Sequence, residues 1–394
     1  MRVLELGTLD HATGAATLLR RALALSHKGE QLLVRGDSRD LGFTLDVFAR
    51  SEGHRLLHEG THLILECGGS AAAKRAGARR AGGPNPTLGE VESHADPRWG
   101  VAARGALLEA GGSHFDFTLL ERDAVWAEEA SSLYRAASAA QWDPETAIPW
   151  AGFEAAPLPL EEALVQVLTY LIENETTALL VPTRLLPRVH PHFRETLQLL
   201  AIQAADEARH IEVFTRRATL SGLELGTSTV AGRASLKTLL EEHEFSTASL
   251  LLSVLGEGTF LSLLRFLERH APDSVTRSIM SLAAQDEARH VAFAVAHLRR
   301  FALQDPAVLS RLSLAVERRH GALAGATGLS AEVFDALVVL AGAGITLNAI
   351  EKGHARVQQL LAEMETGRAH RLEKIGFEPD EAARLAALHT LNLM

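Results

Sequence analysis

The pentapeptide Asp-Glu-Ala-Arg-His occurs twice in this chain, as Asp206–His210 and as Asp286–His290. In each copy the glutamate and the histidine stand three residues apart, so on a helix both project from one face. A single Glu-x-x-His pair is usually part of a charged surface. Here both copies lie on apolar stripes. Leu200, Gln203, Glu207, His210, Ile211 and Phe214 share one helical face, and Ile279, Ala283, Glu287, His290, Val291 and Ala294 share another. Two such pairs, each facing inward, predict a polar centre inside a helix bundle.

Two further carboxylates fit the same pattern. The helix opening near Leu160 has the stripe Leu164, Leu168, Leu171 and Leu179, and Glu175 falls on it, whereas Glu173 points away with Glu162, Gln166 and Thr169. Between Phe245 and Leu264 the only ionisable side chain is Glu257. A lone buried carboxylate costs several kcal/mol, so Glu257 should be paired, protonated or bound to a cation. Gly256 and Gly258 flank it. Each costs about 1 kcal/mol in a helix interior, which predicts a close backbone approach or a local irregularity of the helix there.

The candidate ligand set is therefore Glu175, Glu207, His210, Glu257, Glu287 and His290. Hard oxygen donors with one imidazole per ion suit iron or manganese, and carboxylates can bridge two ions roughly 3.5–4 Å apart. Asp206 and Asp286 stand one turn before the histidines and are expected to orient the imidazole of the opposite helix, with Arg209 and Arg289 balancing their charge. His190, His192, His243 and His320 lie near helix ends or polar faces and read as surface or capping groups.

Composition excludes several alternatives. A formal charge of −10 leaves no basic surface for nucleic acid. The single cysteine, Cys67, rules out a disulfide framework and reads as a small core residue in a reducing, cytoplasmic setting. The N-terminal stretch has no basic-then-apolar export signal. The uncharged runs Phe245–Gly256 and Ala336–Ile350 are too short for ordinary membrane spans and read as buried helices.

Along the chain, residues 1–67 alternate as βαβαββ: strands at Val3–Leu6, Gln31–Val34, His54–Leu57 and His62–Cys67, and helices at Ala15–Leu25 and Leu41–Arg50. Residues 68–122 form a linker and lead-in. Its Gly/Ala/Arg/Pro-rich part runs to Arg98, with Lys74, Arg75, Arg79, Arg80 and Arg98 expected to solvate it. Residues 123–394 read as all-α. The expected helices are Val125–Ala140, one opened by Pro157 and Pro159 and closed by Val181-Pro182, His192–Thr219, Arg233–Arg269, Ser274–Leu303, Pro306–Leu323, Ala331–Met364 and Asp380–Leu391. Trp142 and Trp150, beside the stop Gln141-Trp142-Asp143-Pro144, read as packing anchors. The apolar stretch Phe334–Ile350 leaves a homodimer open.

Over Ala124–Leu303 the chain resembles the ferritin-like, carboxylate-bridged di-iron superfamily. The repeated Asp-Glu-x-Arg-His is similar to the bacterial multicomponent monooxygenase pattern. Glu257-Gly258-Thr259-Phe260 and Trp126…Tyr134…Trp142-Asp143-Pro144 are similar to segments of ribonucleotide reductase small subunits. Radical-storing members of that group carry a tyrosine four residues after the second-helix histidine, where this chain has Phe214; its only tyrosines are Tyr134 and Tyr170. The N-terminal order, with Lys28-Gly29-Glu30 and Arg50-Ser51-Glu52-Gly53-His54, resembles the TusA-like sulfur carriers. Their Cys-Pro-x-Pro motif is replaced here by Asp10-His11-Ala12-Thr13-Gly14-Ala15, which has no thiolate.

The resemblance implies a mainly α, ferritin-like bundle behind a small α/β domain. It implies an O2-dependent oxygenase or oxidase with two metal ions, Fe/Fe favoured and Mn/Fe the alternative. A small organic substrate would react beside Phe214 and Ala294, with electrons from an external donor. The alternatives are a ferroxidase or iron-handling protein, and a scaffold that docks a partner through residues 1–67.

Overall fold

The computed structural model describes residues 1–69, 77–82, 91–323 and 331–388. The chain divides into two compact units, Met1–Glu90 with Arg98–Phe115, and Val91–Pro97 with Asp116–Met394.

In the first unit, β1 (Arg2–Glu5), α1 (Ala15–Leu23), β2 (Gln31–Arg35), α2 (Leu41–Glu52), β3 (Arg55–Glu59) and β4 (His62–Glu66) follow the order expected from the sequence. The sheet order is β1-β2-β4-β3, with β1 parallel to β2 and β4 antiparallel to both of its neighbours. Ala15, Leu19 and Leu23 recur at four-residue spacing on α1 and are buried together with Leu32, Val34, Phe48 and Leu65. Cys67 sits in this core, its thiol 3.7 Å from Ser26 O. The expected linker is more ordered than its composition implies: β5 (Arg79–Arg80) pairs antiparallel with β6 (Leu107–Leu108). Lys74, Arg75 and Gly83-Pro84-Asn85-Pro86 lie outside the described residues.

The second unit is a bundle of long helices: α3 (Ala130–Ala139), α4 (Leu158–Leu185), α5 (Arg194–Leu220), α6 (Val230–Leu240), α7 (Phe245–Ser249), a π-helix (Leu250–Glu257), α8 (Gly258–His270), α9 (Ser274–Gln304), α10 (Ala307–Leu323), α11 (Ala331–Gly342), α12 (Leu347–Ile375) and α13 (Pro379–Ala387). Their starts are chemically marked. Glu244 accepts from the Ser246 and Thr247 N–H groups ahead of α7, Asp273 accepts from Thr276 N–H ahead of α9, and Thr346 accepts from Ala349 N–H ahead of α12. The run Phe245–His270 is long and apolar enough to cross a membrane, but its apolar window is 83% buried inside the bundle.

Five expectations about this unit need correction. Helix α3 begins at Ala130 rather than Val125, after a 3-10 turn at Arg122–Ala124. Helix α4 does not close at Val181-Pro182 but continues to Leu185. The hydrogen bond that proline removes is outweighed by the burial of Val181, Pro182 and Leu185. The helix expected over Arg233–Arg269 is broken after Leu240, and its second part passes through the π-helix before continuing as α8. Ala331–Met364 is two helices bent by 112°, with Ala343 and Gly344 at φ +58° and +150° between them, and the second runs on to Ile375. The two lie close because Gly353 has no side chain; a Cβ there would stand 2.0 Å from Val338 O. Finally, His190 and His192 are buried rather than at the surface. His190 Nδ1 accepts from His192 N–H, and His192 Nε2 accepts from Glu92 N–H.

In Phe334–Ile350 the apolar residues up to Ala341 are mostly buried within the unit, whereas Ile345, Leu347 and Ile350 are exposed. Ala336, Leu337, Val338, Leu340 and Ala341 are buried, and α11 packs against α4 and α12. The last helix was expected to reach Leu391, and residues 389–391 lie outside the described residues.

Candidate metal centre

Four segments of the bundle each present inward-facing groups. Glu175 comes from the middle of α4, Glu207 and His210 from α5, Glu257 from the end of the π-helix, and Glu287 and His290 from α9; all six are buried. Their donor atoms meet in two quartets. In each, the atoms lie within 4.8 Å of one another: Glu175, Glu207, His210 and Glu287 form one, and Glu207, Glu257, Glu287 and His290 form the other. Glu207 and Glu287 belong to both, the position of a bridging carboxylate. Glu175 and Glu257 each belong to one.

The histidines are arranged alike. His210 Nδ1 stands 3.5 Å from Glu175, 3.3 Å from Glu207 and 3.3 Å from Glu287. His290 Nδ1 stands 3.1 Å from Glu207 and 3.3 Å from Glu287. The other ring nitrogens cross over: His210 Nε2 lies 3.2 Å from Asp286, and His290 Nε2 lies 3.2 Å from Asp206. A carboxylate opposite Nε2 keeps the proton on that nitrogen and turns the Nδ1 lone pair toward the centre.

The aspartates are held in turn. Arg209 reaches both Asp206 and Asp286, and Arg289 pairs with Asp286. Two neighbours were read from sequence only as a stop signal and a packing anchor. Trp142 Nε1–H donates to Asp286 at 2.8 Å, and Gln141 Nε2–H donates to Asp206 at 2.8 Å. Arg209 lies 4.6 Å from the Trp142 ring centroid and donates to Gln141 Oε1 at 2.6 Å. Trp142 and Asp286 are 144 positions apart, and no helical periodicity connects them. Trp150 packs under Arg216 and donates to Pro144 O.

The charge balance of the six groups fits a cation. Burial, then the Glu207 charge, push the Glu175 carboxyl up to about 8. Burial, then the Glu287 charge, lift Glu257 well above the usual carboxylate range. Burial opposes protonation of His210 and His290, yet the surrounding carboxylates hold both well above the ordinary imidazole value. Without metal, protons neutralise the cluster. Several atoms still lack a hydrogen bond: Glu175 Oε1, both Glu207 oxygens, Glu257 Oε2, Glu287 Oε1 and His210 Nδ1. Buried polar atoms without well-made hydrogen bonds cost about 1–3 kcal/mol each, and one donor atom from each residue of a quartet lies within 4.8 Å of the others, close enough to share a cation.

A small cavity of about 20 Å3 lies beside the centre, walled by Val181, Leu200, Phe245, Leu252 and Phe293, with Gln203 and Ser253 among its polar groups. Gln203 also donates to Glu257 Oε1 at 3.1 Å, and a hydrogen bond from Ser253 lowers the Glu257 carboxyl against burial. That space holds about one water-sized molecule and no organic substrate of ordinary size. Of the two residues expected beside the substrate, Ala294 lines this cavity. Phe214 is buried beside His210, ring centroids 6.1 Å apart, and is not on the cavity wall.

No protein-family profile matches the chain, and no curated protein matches it. Solved structures do. One is described as protein 19 with aldehyde deformylating oxidase activity from Synechococcus. It is 22% identical, with a TM-score of 0.44 over 59% of this chain and 98% of that one. Another is a point mutant of an R2-like ligand-binding oxidase with an aerobically reconstituted Mn/Fe cofactor, 17% identical, TM-score 0.48, covering 64% and 94%. A different point mutant of such an oxidase, also aerobically reconstituted with Mn/Fe, is 14% identical, TM-score 0.45, covering 65% and 94%.

Proposed function

We propose that this protein is an O2-dependent oxidoreductase acting on a small organic substrate through a dinuclear metal centre. The observation that carries the reading is the pair of buried quartets sharing Glu207 and Glu287. Glu175 and His210 would complete one ion's ligands, and Glu257 and His290 the other's. Oxygen-rich donor sets with one imidazole per ion suit iron or manganese; the di-iron resemblance makes Fe/Fe the first choice, with Mn/Fe the alternative. When bound, the metal pair supplies electrons to dioxygen and withdraws charge from it.

The chain's own groups do the rest. Asp286 and Asp206 fix the imidazole tautomers and orientations. Burial excludes water, and the small apolar cavity admits a molecule the size of dioxygen more readily than an organic one. Substrate entry then requires its walls, Phe245, Leu252 and Phe293, to move. The half-buried Trp142 indole is hydrogen-bonded to Asp286, whose same Oδ2 atom faces His210. This gives an external electron donor a continuous route from the bundle surface to the centre.

The N-terminal unit enters this reading as a TusA-like domain without its carrier thiol, serving to dock a partner. Removing residues 1–67 is then expected to leave metal content unchanged.

The deciding experiment supplies iron and manganese during expression and measures metal content by elemental analysis. The reduced protein is then mixed rapidly with O2. Two ions per chain, and a coloured intermediate that decays faster with added organic substrates, are expected. Sustained conversion of excess Fe2+ to mineral would move the assignment to iron storage. Absence of both metals would end the metal reading.

A further inference from the structure

The irregularity at Glu257 has a cause elsewhere in the chain. At the end of the π-helix the Gly258 N–H reaches five residues back to Ser253 O, and Val254 O is not among its acceptors. In an α-helix Val254 O would be that partner. It accepts instead from Arg371 Nε of α12 at 2.8 Å, across 117 positions of sequence. The next carbonyl, Leu255 O, accepts from Thr259 Oγ1 at 2.5 Å, and Arg368 Nη1 reaches that hydroxyl at 3.5 Å. Two arginines one turn apart on α12 therefore tend the junction between the π-helix and α8.

The approach depends on Gly258. A Cβ at that position would lie 2.4 Å from Arg371 Nε. The sequence thus keeps a helix-weakening residue where the guanidinium must pass. Keeping the guanidinium there has a cost: burial, then the like charge of Arg368, hold Arg371 down to about 10, and its Nη2 is buried without a hydrogen-bond partner. Mere packing of α12 on α8 does not need a guanidinium at this point.

We propose that Arg371 is a positioning residue for the metal centre: by taking up Val254 O it holds the π-helical register that aims Glu257 at the quartet of Glu207, Glu257, Glu287 and His290. Reverting this segment to α-helix shifts the register by one residue. That rotates Glu257, together with α8, by roughly 100° about the helix axis relative to α7, taking the carboxylate off the centre. The other quartet, with Glu175 and His210, does not use this segment. The inference rests on the dinuclear reading above.

The test titrates Co2+ anaerobically into the metal-free full-length protein and follows its visible absorption. Glu175→Ala leaves the quartet containing Glu257, and Glu257→Ala leaves the other. Adding Arg371→Met, which has no donor, to the first background is expected to weaken the remaining ion at least about tenfold, as for other groups that orient ligands. In the second background it should change affinity less than about twofold. Arg371→Lys keeps a donor for Val254 O and should recover part of the loss. Gly258→Ala, which displaces the guanidinium while leaving α12 intact, should reproduce it, so the test stands even where Arg371→Met does not fold. Equal weakening in both backgrounds, or none in the first, overturns the proposal. An otherwise wild-type chain that takes up no pair of ions would instead overturn the dinuclear reading.

Discussion

Glu207 and Glu287 are not equivalent to Glu175 and Glu257, although all four are buried glutamates facing one centre. Each of the first two serves both quartets and each of the second two serves one. Glu207→Ala or Glu287→Ala is therefore expected to abolish stable binding of both ions. Glu175→Ala or Glu257→Ala should leave about one ion per chain, and metal-to-protein ratios after desalting read the difference. The aspartates give a second prediction. Because Asp286 orients His210 and Asp206 orients His290, Asp286→Asn should weaken the ion bound with Glu175 by about 10–100-fold, and Asp206→Asn the ion bound with Glu257. Site-resolved metal titration would refute this if each substitution affected the ion of its own helix. That these six side chains would be buried together was legible in the sequence because each is a polar residue on an apolar helical stripe. Trp142, Gln141 and Arg371 were not, because what gives each its role is a contact made across the fold.

At the scale of elements, the long helices must be held in register for six side chains to meet. One device is the fully buried Arg217 of α5. It hydrogen-bonds Glu161 at the start of α4 with Nη1 and Nη2, both at 3.0 Å, and bonds Asp273 and Thr276 at the start of α9. Three ligand-bearing helices are pinned at one end. Arg217→Met leaves two buried carboxylates uncompensated and is expected to cost about 3–5 kcal/mol, measured by urea unfolding. A loss below about 1 kcal/mol would show that the cluster is incidental. Helix existence was readable from the spacing of leucines and from capping residues. Helix continuity was not: Pro182 is carried through and Gly342–Gly344 is not, because neighbouring packing decides whether a local weakness becomes a break.

For the molecule as a whole, the unmetallated centre makes stability depend on pH. Burial, then the Glu207 charge, push the Glu175 carboxyl from its ordinary value near 4.5 up to about 8 in the folded protein. Between those values the native state keeps a proton that the unfolded chain has released, so stability falls as pH rises. The raised His210 and His290 act in the same direction above the ordinary imidazole value, while the lowered Glu207 acts oppositely only at more acid pH. The lowered His54, His190, His270 and His297 oppose this below the ordinary imidazole value, so the metal-free protein should melt at progressively lower temperature from about pH 6.5 to about pH 8. Fe2+ or Mn2+, which displaces those protons, should bind more tightly and at a fixed concentration stabilise it more at pH 8 than at pH 6; a hundredfold excess over Kd contributes about 2.7 kcal/mol per site. Calorimetry with and without metal tests the sign; a melting temperature that rises over that pH range in the metal-free protein would contradict it.

The sequence by itself determined where helices occur though not where they break, the βαβαββ order of the first unit, and the side chains that must leave water, because periodicity and lone charges in apolar runs act over a few residues. Only the tertiary structure decided that Glu207 and Glu287 are shared, that each aspartate serves the opposite helix's histidine, and that Arg371 holds the π-helix. Those relations join residues far apart in the chain, and such distances are fixed by how the helices pack.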